Sequence, residues 1–506
     1  MGSRVEKSLI NAKVNLLFYF LSLFFSFFSR KIFLDSLGDN FIGLTGTLGS
    51  ILGYLNLAEF GISGAISIFL YKPLFQNDRS SIQEIISLLG YLYRKIGTFI
   101  AIVGIIISLF FPFIFSSSDV SLGIVYFVFY SFLSSSLIGY FINYREIILS
   151  ADQKNYLVSI YYQSAGLIKT ALQIWLAYRY KNMYAWVVIE FIFSVFACII
   201  LNWRINREYP WLVTNINQGK KLLEKYPEVL TKTKQIFIHK FKDFILTRSD
   251  ELFIFVFVSL KMVAFYGNYL MIVNKLTLLF NSILDSTFAG VGNLVAEGNK
   301  NNTLKVFWEL MAIRHVFAGF VCFSLYNLLE PFISLWLGPE YILNHSILVL
   351  ILIYTYIANS RGVVDMFNHS HGLYSDTWSA WVEVIINISI TFIVGYFYGL
   401  FGILLGKIVS VIIIVIFWKP YYLFTAGFML PISLYWRGTI KYYLINSFSF
   451  ITAYWVINSL VKLTLSNFYN LIIYGFIIVV TYLLINIFLM YFFGNGTRSL
   501  IKRFIN

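Results

Sequence analysis

Only two cysteines stand in the 506 residues, and both, Cys198 and Cys322, fall inside long apolar runs. That excludes a disulfide framework and leaves each as a small packing residue. Charge is scarce as well, with Asp, Glu, Lys and Arg making up 12% of the chain. No GxxxxGK[ST] loop is present, which argues against direct ATP hydrolysis. No HExxH is present either. His369 and His371 stand two apart, a spacing that diverges on a helix, so no metal site is read from them. The longest polar segment, Asn202 to Gln235, is too short for a soluble catalytic domain.

What fills the chain instead is apolar. Hydrophobic residues are 59% of it and aromatics 20%, and the mean hydropathy is +0.76. A soluble fold of this length has no interior large enough for that surface, whereas a bilayer takes the place of water around the outside. At roughly 20 apolar residues per crossing, about fourteen spans are expected. They lie near 11–34, 42–70, 91–115, 119–149, 156–178, 181–203, 237–260, 262–290, 305–330, 345–368, 374–397, 400–424, 438–462 and 467–493. All must be helices, because hydrocarbon offers no partner to an unpaired backbone group. The runs are too long and too uniformly apolar for barrel strands. The first run exceeds a signal-peptide core and no small-x-small site follows it, so it reads as the first span. The expected fold is an all-α polytopic membrane protein.

Lys and Arg set the orientation. With the N-terminus inside and the spans alternating, 27 of the 38 Lys and Arg fall on the cytoplasmic side, 6 on the other, and 5 within spans. Both termini are therefore expected in the cytoplasm. The net charge of +14 gathers on one membrane face, where anionic lipid attracts it, so nucleic acid is not read as a partner. The polar segment separates six spans from eight. It divides the chain into an N-lobe (1–203), a cytoplasmic linker (204–236), a C-lobe (237–424) and a final pair of spans with a cytoplasmic tail (425–506).

Internal repetition is faint. Glu59 and Asp285 each stand five residues before a glycine, late in the second span of their lobe, and a short loop with Asn and charge follows each. Parallel copies of this kind imply lobes related by an axis along the membrane normal. Each acid has two readings, a packing partner or a carrier of the coupling proton.

Ionisable groups at membrane depth are costly and mark candidate sites. The seventh span carries a cluster: Lys240, Asp243, Thr247, Arg248, Asp250 and Glu251. Asp243, Thr247 and Asp250 share one helical face, and Arg248 and Glu251 are i, i+3 neighbours. That face must meet a partner helix or a hydrated cavity. Glu59, Lys169, Glu190, Lys275, Asp285, Arg314, Asp365, Glu383 and Lys407 are the other deep charges, each with a plain alternative as half of an interhelical ion pair. Gly49/Gly53 and Gly402/Gly406 fit GxxxG and are expected to bring helices close.

At several stretches the chain resembles the Wzx-type polysaccharide flippases of the multidrug/oligosaccharidyl-lipid/polysaccharide exporter superfamily. These are Leu37-Gly38-Asp39 with Leu57-Ala58-Glu59-Phe60-Gly61-Ile62-Ser63-Gly64 and Tyr71-Lys72-Pro73-Leu74; Ser249-Asp250 with Tyr266-Gly267-Asn268-Tyr269; Leu335-Trp336-Leu337-Gly338; and His371-Gly372-Leu373-Tyr374 through Tyr398-Gly399-Leu400-Phe401-Gly402 to Trp418-Lys419-Pro420-Tyr421.

The resemblance implies two six-helix lobes around a central cleft plus two C-terminal helices. It implies a transporter rather than an enzyme, one that moves undecaprenyl-diphosphate-linked oligosaccharide across the bacterial plasma membrane for O-antigen or capsule synthesis. Alternating access would be driven by H+ or Na+, with no other cofactor. It further implies that basic residues in the cleft meet the diphosphate, here Arg30 and Arg248, then Lys169 and Lys275. Glu59, Asp250 and Asp285 would be the coupling or structural acids. The partners implied are the lipid-linked substrate, membrane lipids, and the polymerase and chain-length proteins of the pathway. Two competing readings stand beside it. A polymerase or polyprenyl-sugar glycosyltransferase would need a sizeable outer loop with catalytic acids, whereas the largest here, Glu330 to His345, is short. A multidrug exporter of the same superfamily would share the fold.

Overall fold

The computed structural model describes residues 4–500, apart from Phe60, Ser117, Asp285, Ser286, Tyr374 and Lys462. Every regular element among the described residues is helical, and the protein is an all-α, multi-pass membrane protein. Several helices begin the same way. Asp78, Asn182, Asn299, Asn344 and Asn467 each turn a side-chain oxygen onto a backbone N–H of the first turn, filling a donor the helix itself leaves unpaired.

By internal contacts the chain divides into two compact units, Met1–Ala264 and Phe265–Asn506. The first holds α1 (Arg4–Leu37), α2 (Asp39–Leu55), α3 (Ile62–Gln76), α4 (Arg79–Ser108), α5 (Leu122–Phe141), α6 (Asn155–Tyr180), α7 (Met183–Glu208) and α8 (Glu228–Phe257). Within it α1 packs on α6, α6 on α7, α7 on α5, α5 on α4, and α8 on α2 and α3. This division does not follow the polar segment 204–236. α8 stays with the first unit because Gly53 of α2 admits the Phe244 ring, which would lie 2.8 Å from a Cβ placed there. Phe244 also meets Tyr54 edge-on at 5.0 Å.

The second unit starts within α9 (Leu260–Leu284). It continues through α10 (Phe288–Ala296), α11 (Lys300–Trp336), α12 (His345–Ser360), α13 (Gly362–Ser370), α14 (Thr377–Tyr398), α15 (Leu400–Val411), α16 (Ile432–Leu460) and α17 (Phe468–Phe493). A ring cluster of Phe307, Phe367, Phe424 and Phe428 lies in its core. Past α15 the chain widens into π-helical turns, Ile412–Trp418 and Leu423–Phe428, on either side of Lys419–Tyr422. Pro420 sits in that junction and offers no N–H to an α-type bond. Asp376, just before α14, fastens the junction by accepting from Lys419 Nζ at 2.7 Å and Trp418 Nε1 at 3.0 Å. Burial raises its carboxyl, but the Lys419 ammonium and these bonds outweigh that and hold it below the usual carboxylate range.

Ten helical stretches among the described residues are long and apolar enough to cross a membrane. The four remaining expected spans are helical too, but built differently. α6, α8 and α16 carry more polar and charged residues. The expected single span 42–70 is broken: a 3-10 turn, Asn56–Glu59, separates α2 from α3, and Gly61 opens α3 at φ 101°. A left-handed glycine stops one helix and starts another at little cost. The GxxxG expectation is met at one pair and half met at the other. A Cβ on Gly402 would lie 2.3 Å from the Val394 backbone, and one on Gly406 would lie 2.6 Å from Thr391 Oγ1, so both sit against α14; at Gly49 nothing lies within 4 Å.

The polar linker is not loose. Asn215 N donates to Ser87 Oγ at 2.9 Å, Lys225 Nζ reaches Glu84 at 2.6 Å, and Tyr226 donates to Glu84 at 2.7 Å. It is strapped along the first half of α4.

Candidate functional site

Of the seventh-span cluster, the side chains of Arg248, Asp250 and Glu251 are described, all on α8 in the first unit. Asp250 is buried, 2% exposed, and its charge acts on Tyr54 of α2. One turn away along α2, Ser50 donates its hydroxyl to Glu251 Oε2. Tyr54 and Ser50 are i, i+4 neighbours, so one face of α2 lies towards α8. The acidic side of α8 thus meets a partner helix at these positions. The side chains of Asp243, Thr247 and Lys240 lie outside the described residues.

Two arginines complete the group. Arg248 is exposed on α8, and Arg30 comes from α1; both charges act on Glu251. Arg30 is oriented by donating Nη2 to the Ala264 carbonyl at 2.9 Å. Two guanidiniums therefore lie within electrostatic range of the Glu251 carboxylate, a combination whose positive charge suits an anion.

Glu59 forms a second polar centre at the break between α2 and α3. Tyr93 of α4 and Tyr140 of α5 both donate to it, the latter at 3.0 Å. Tyr140 also reaches Asn56 Oδ1 at 3.1 Å, and Ser136 reaches the same oxygen at 2.9 Å. The interrupted helix is thereby tied to two neighbours through side chains.

The other candidates are placed as follows. Lys169 is in an ion pair with Glu190 at 2.6 Å, linking α6 to α7, and Gln173 donates to the second oxygen of Glu190 at 3.0 Å. Lys275 lies partly buried on α9 in the other unit. Asp285 lies outside the described residues, so its match to Glu59 rests on sequence alone. Of the remaining deep charges, Arg314 is buried and donates to Asn281 Oδ1 at 2.6 Å. Glu383 and Lys407 are buried on α14 and α15, which pack together, and Lys407 lies over the Tyr354 ring at 4.5 Å. Sequence reading missed Ser50, Tyr54, Tyr93 and Tyr140. Ser50 and Tyr54 carried a faint signal in their i, i+4 spacing; Tyr93 and Tyr140 carried none among 36 tyrosines.

No protein-family model matches the sequence, and no curated protein does. Solved structures do match. A lipid II flippase, MurJ, in an inward closed conformation superposes with a TM-score of 0.69 over 97% of this chain and 100% of that one, at 15% identity. The chain shares its fold with that protein over nearly its whole length. An inward-facing multidrug resistance transporter of the MATE family, of the MOP superfamily, gives 0.59 over 81% of this chain and 97% of that one, at 13% identity. A MATE protein in a bent conformation gives 0.51 over 82% and 94%, at 12% identity. The fold expected from the motifs is thus the fold found, while identities this low say nothing of the cargo.

Proposed function

We propose that the protein flips an undecaprenyl-diphosphate-linked oligosaccharide across the bacterial plasma membrane by alternating access between two lobes, with H+ as the coupling ion. The observation that carries this reading is that Arg30 of α1, held by the Ala264 carbonyl, and Arg248 of α8 lie close enough to Glu251 for both charges to act on it. A diphosphate entering hydrocarbon loses its hydration at large cost, and guanidinium forks offset that loss with paired, charge-assisted hydrogen bonds. Without substrate, the Glu251 carboxylate is the anion within reach of the two arginine charges. A proton on Glu251 removes one negative charge and leaves the arginines for the diphosphate; its departure restores the competition and favours release. The lipid tail stays in the bilayer throughout.

Transport of labelled lipid-linked oligosaccharide in proteoliposomes tests the proposal. The wild-type rate should rise when a proton gradient is imposed, and Glu251→Gln should transport at a rate that ignores the gradient. A rate that follows sodium instead, or export of cationic dyes with no lipid movement, would overturn it. The proposed orientation has its own test. A reporter fused after Asn506 should be cytoplasmic and one placed within 339–344 should be outside; the reverse at either site rejects the Lys/Arg assignment.

A further inference from the structure

A basic hollow lies away from the arginine–carboxylate site, where the linker crosses α4. Its volume is about 490 Å³, and it is lined by Tyr91, Arg94, Lys95 and Thr98 of α4 with Ile216 and Asn217 of the linker. The linker is seated there closely. Gly219 rests on Tyr91, whose ring atoms would lie 2.1 Å from a Cβ at that glycine. On the same ring sits the Lys95 ammonium, 4.6 Å from its centroid. Arg94 and Lys95 are exposed, and neither makes an ion pair among the described residues. Thr98 spends its proton on the Arg94 carbonyl at 2.8 Å. The donors left to face a ligand are the guanidinium, the ammonium, the Asn217 amide and the Tyr91 hydroxyl, a set suited to phosphate oxygens.

The residues that follow identify the kind of phosphate. Below Lys95, α4 continues along the same face with Phe99, Ile102, Ile105, Ile106 and Leu109, all exposed. Their i, i+3, i+4 spacing makes one apolar stripe running on from the two charges. Fourteen residues of helix from Lys95 to Ser108 cover roughly 21 Å at ~1.5 Å each, enough for the acyl chains of one leaflet of a ~30 Å core. Charge above and a hydrocarbon-facing stripe below match a phospholipid upright in its leaflet. The Lys/Arg count puts this end in the cytoplasmic leaflet, where anionic lipid draws basic residues. We propose that Arg94, Lys95, Tyr91 and Asn217 hold the phosphate headgroup of an anionic phospholipid, with its chains along the exposed face of α4. The lipid would bridge α4 and the linker, and so stabilise the strap that leads into α8. This site is independent of the transport reading, since none of its residues belongs to the proposed substrate site.

The test is thermal unfolding of the full-length protein in detergent, with dioleoylphosphatidylglycerol, dioleoylphosphatidylcholine or pyrophosphate added. Phosphatidylglycerol should raise the midpoint by roughly 3 °C and phosphatidylcholine should not. The double variant Arg94→Gln/Lys95→Gln should lose most of that rise, while Arg94→Lys and the control Lys232→Gln/Lys234→Gln keep it. Native mass spectrometry should count one fewer bound phosphatidylglycerol on the double variant. An undiminished rise or an unchanged lipid count in the double variant would overturn the site, as would an equal rise with phosphatidylcholine. A rise with pyrophosphate that the double variant loses, and none with phosphatidylglycerol, would assign the hollow to a free phosphate and reject the lipid.

Discussion

Arg248→Ala is expected to abolish export of surface polysaccharide while the protein remains in the membrane at its normal level. Arg248 is exposed on α8, so truncation leaves no cavity, and exposed substitutions usually shift stability by no more than about 0.5 kcal/mol. What is lost is one of the two guanidiniums that act on Glu251. A charge-assisted hydrogen bond contributes about 1.5–3 kcal/mol, and a bidentate fork makes two. The expected loss of diphosphate binding is therefore on the order of a hundredfold or more. Arg248→Lys keeps the charge but not the fork, and should retain partial export. The measurement is surface polysaccharide in a complemented deletion strain, with immunoblotting of the membrane fraction. Normal polysaccharide in the Arg248→Ala strain would remove this residue from the site.

Glu59→Ala should fail differently, by lowering the amount of folded protein. Tyr93 and Tyr140 are 8% and 4% exposed, and both donate to Glu59. Without the carboxylate, the buried Tyr93 hydroxyl loses its acceptor at a cost of about 1–3 kcal/mol, and Tyr140 keeps only the Asn56 oxygen it shares with Ser136. That cost is a sizeable share of the usual net stability of a fold, about 5–15 kcal/mol, so membrane levels should fall. Glu59→Gln keeps an acceptor oxygen in the same place and should express and transport nearly normally. This is the outcome expected if Glu59 packs the broken helix against α4 and α5. Normal expression of Glu59→Gln with transport that ignores a pH gradient would instead make Glu59 the coupling acid. Full abundance and activity of Glu59→Ala would exclude both roles.

The two arginines illustrate what a sequence pattern shows and where it stops. Arg30 and Arg248 were legible as candidates because charge at membrane depth is rare. Their meeting near Glu251 was not, since 217 positions separate them in the chain and no local rule spans that distance. Lys169 looked the same in sequence, yet the fold gives it to Glu190. The GxxxG pattern was equally ambiguous. Gly402 and Gly406 face a neighbouring backbone, while Gly49, with the same spacing, faces nothing within 4 Å.

By itself the sequence determined the solvent and the helical class of the fold. Apolar runs of bilayer length can satisfy their backbone only as helices, and Lys and Arg asymmetry states an orientation. These are properties of composition and short-range spacing. The tertiary structure decided where a span breaks, at Gly61, and which helix α8 joins. It also decided which charges are spent on one another and which remain together at a site. Those outcomes depend on contacts between residues far apart in the chain. In a chain where leucine, phenylalanine and isoleucine fill most positions, many helix pairings bury apolar surface about equally well. The few polar groups that must find partners, and the few glycines that allow close approach, then select among them.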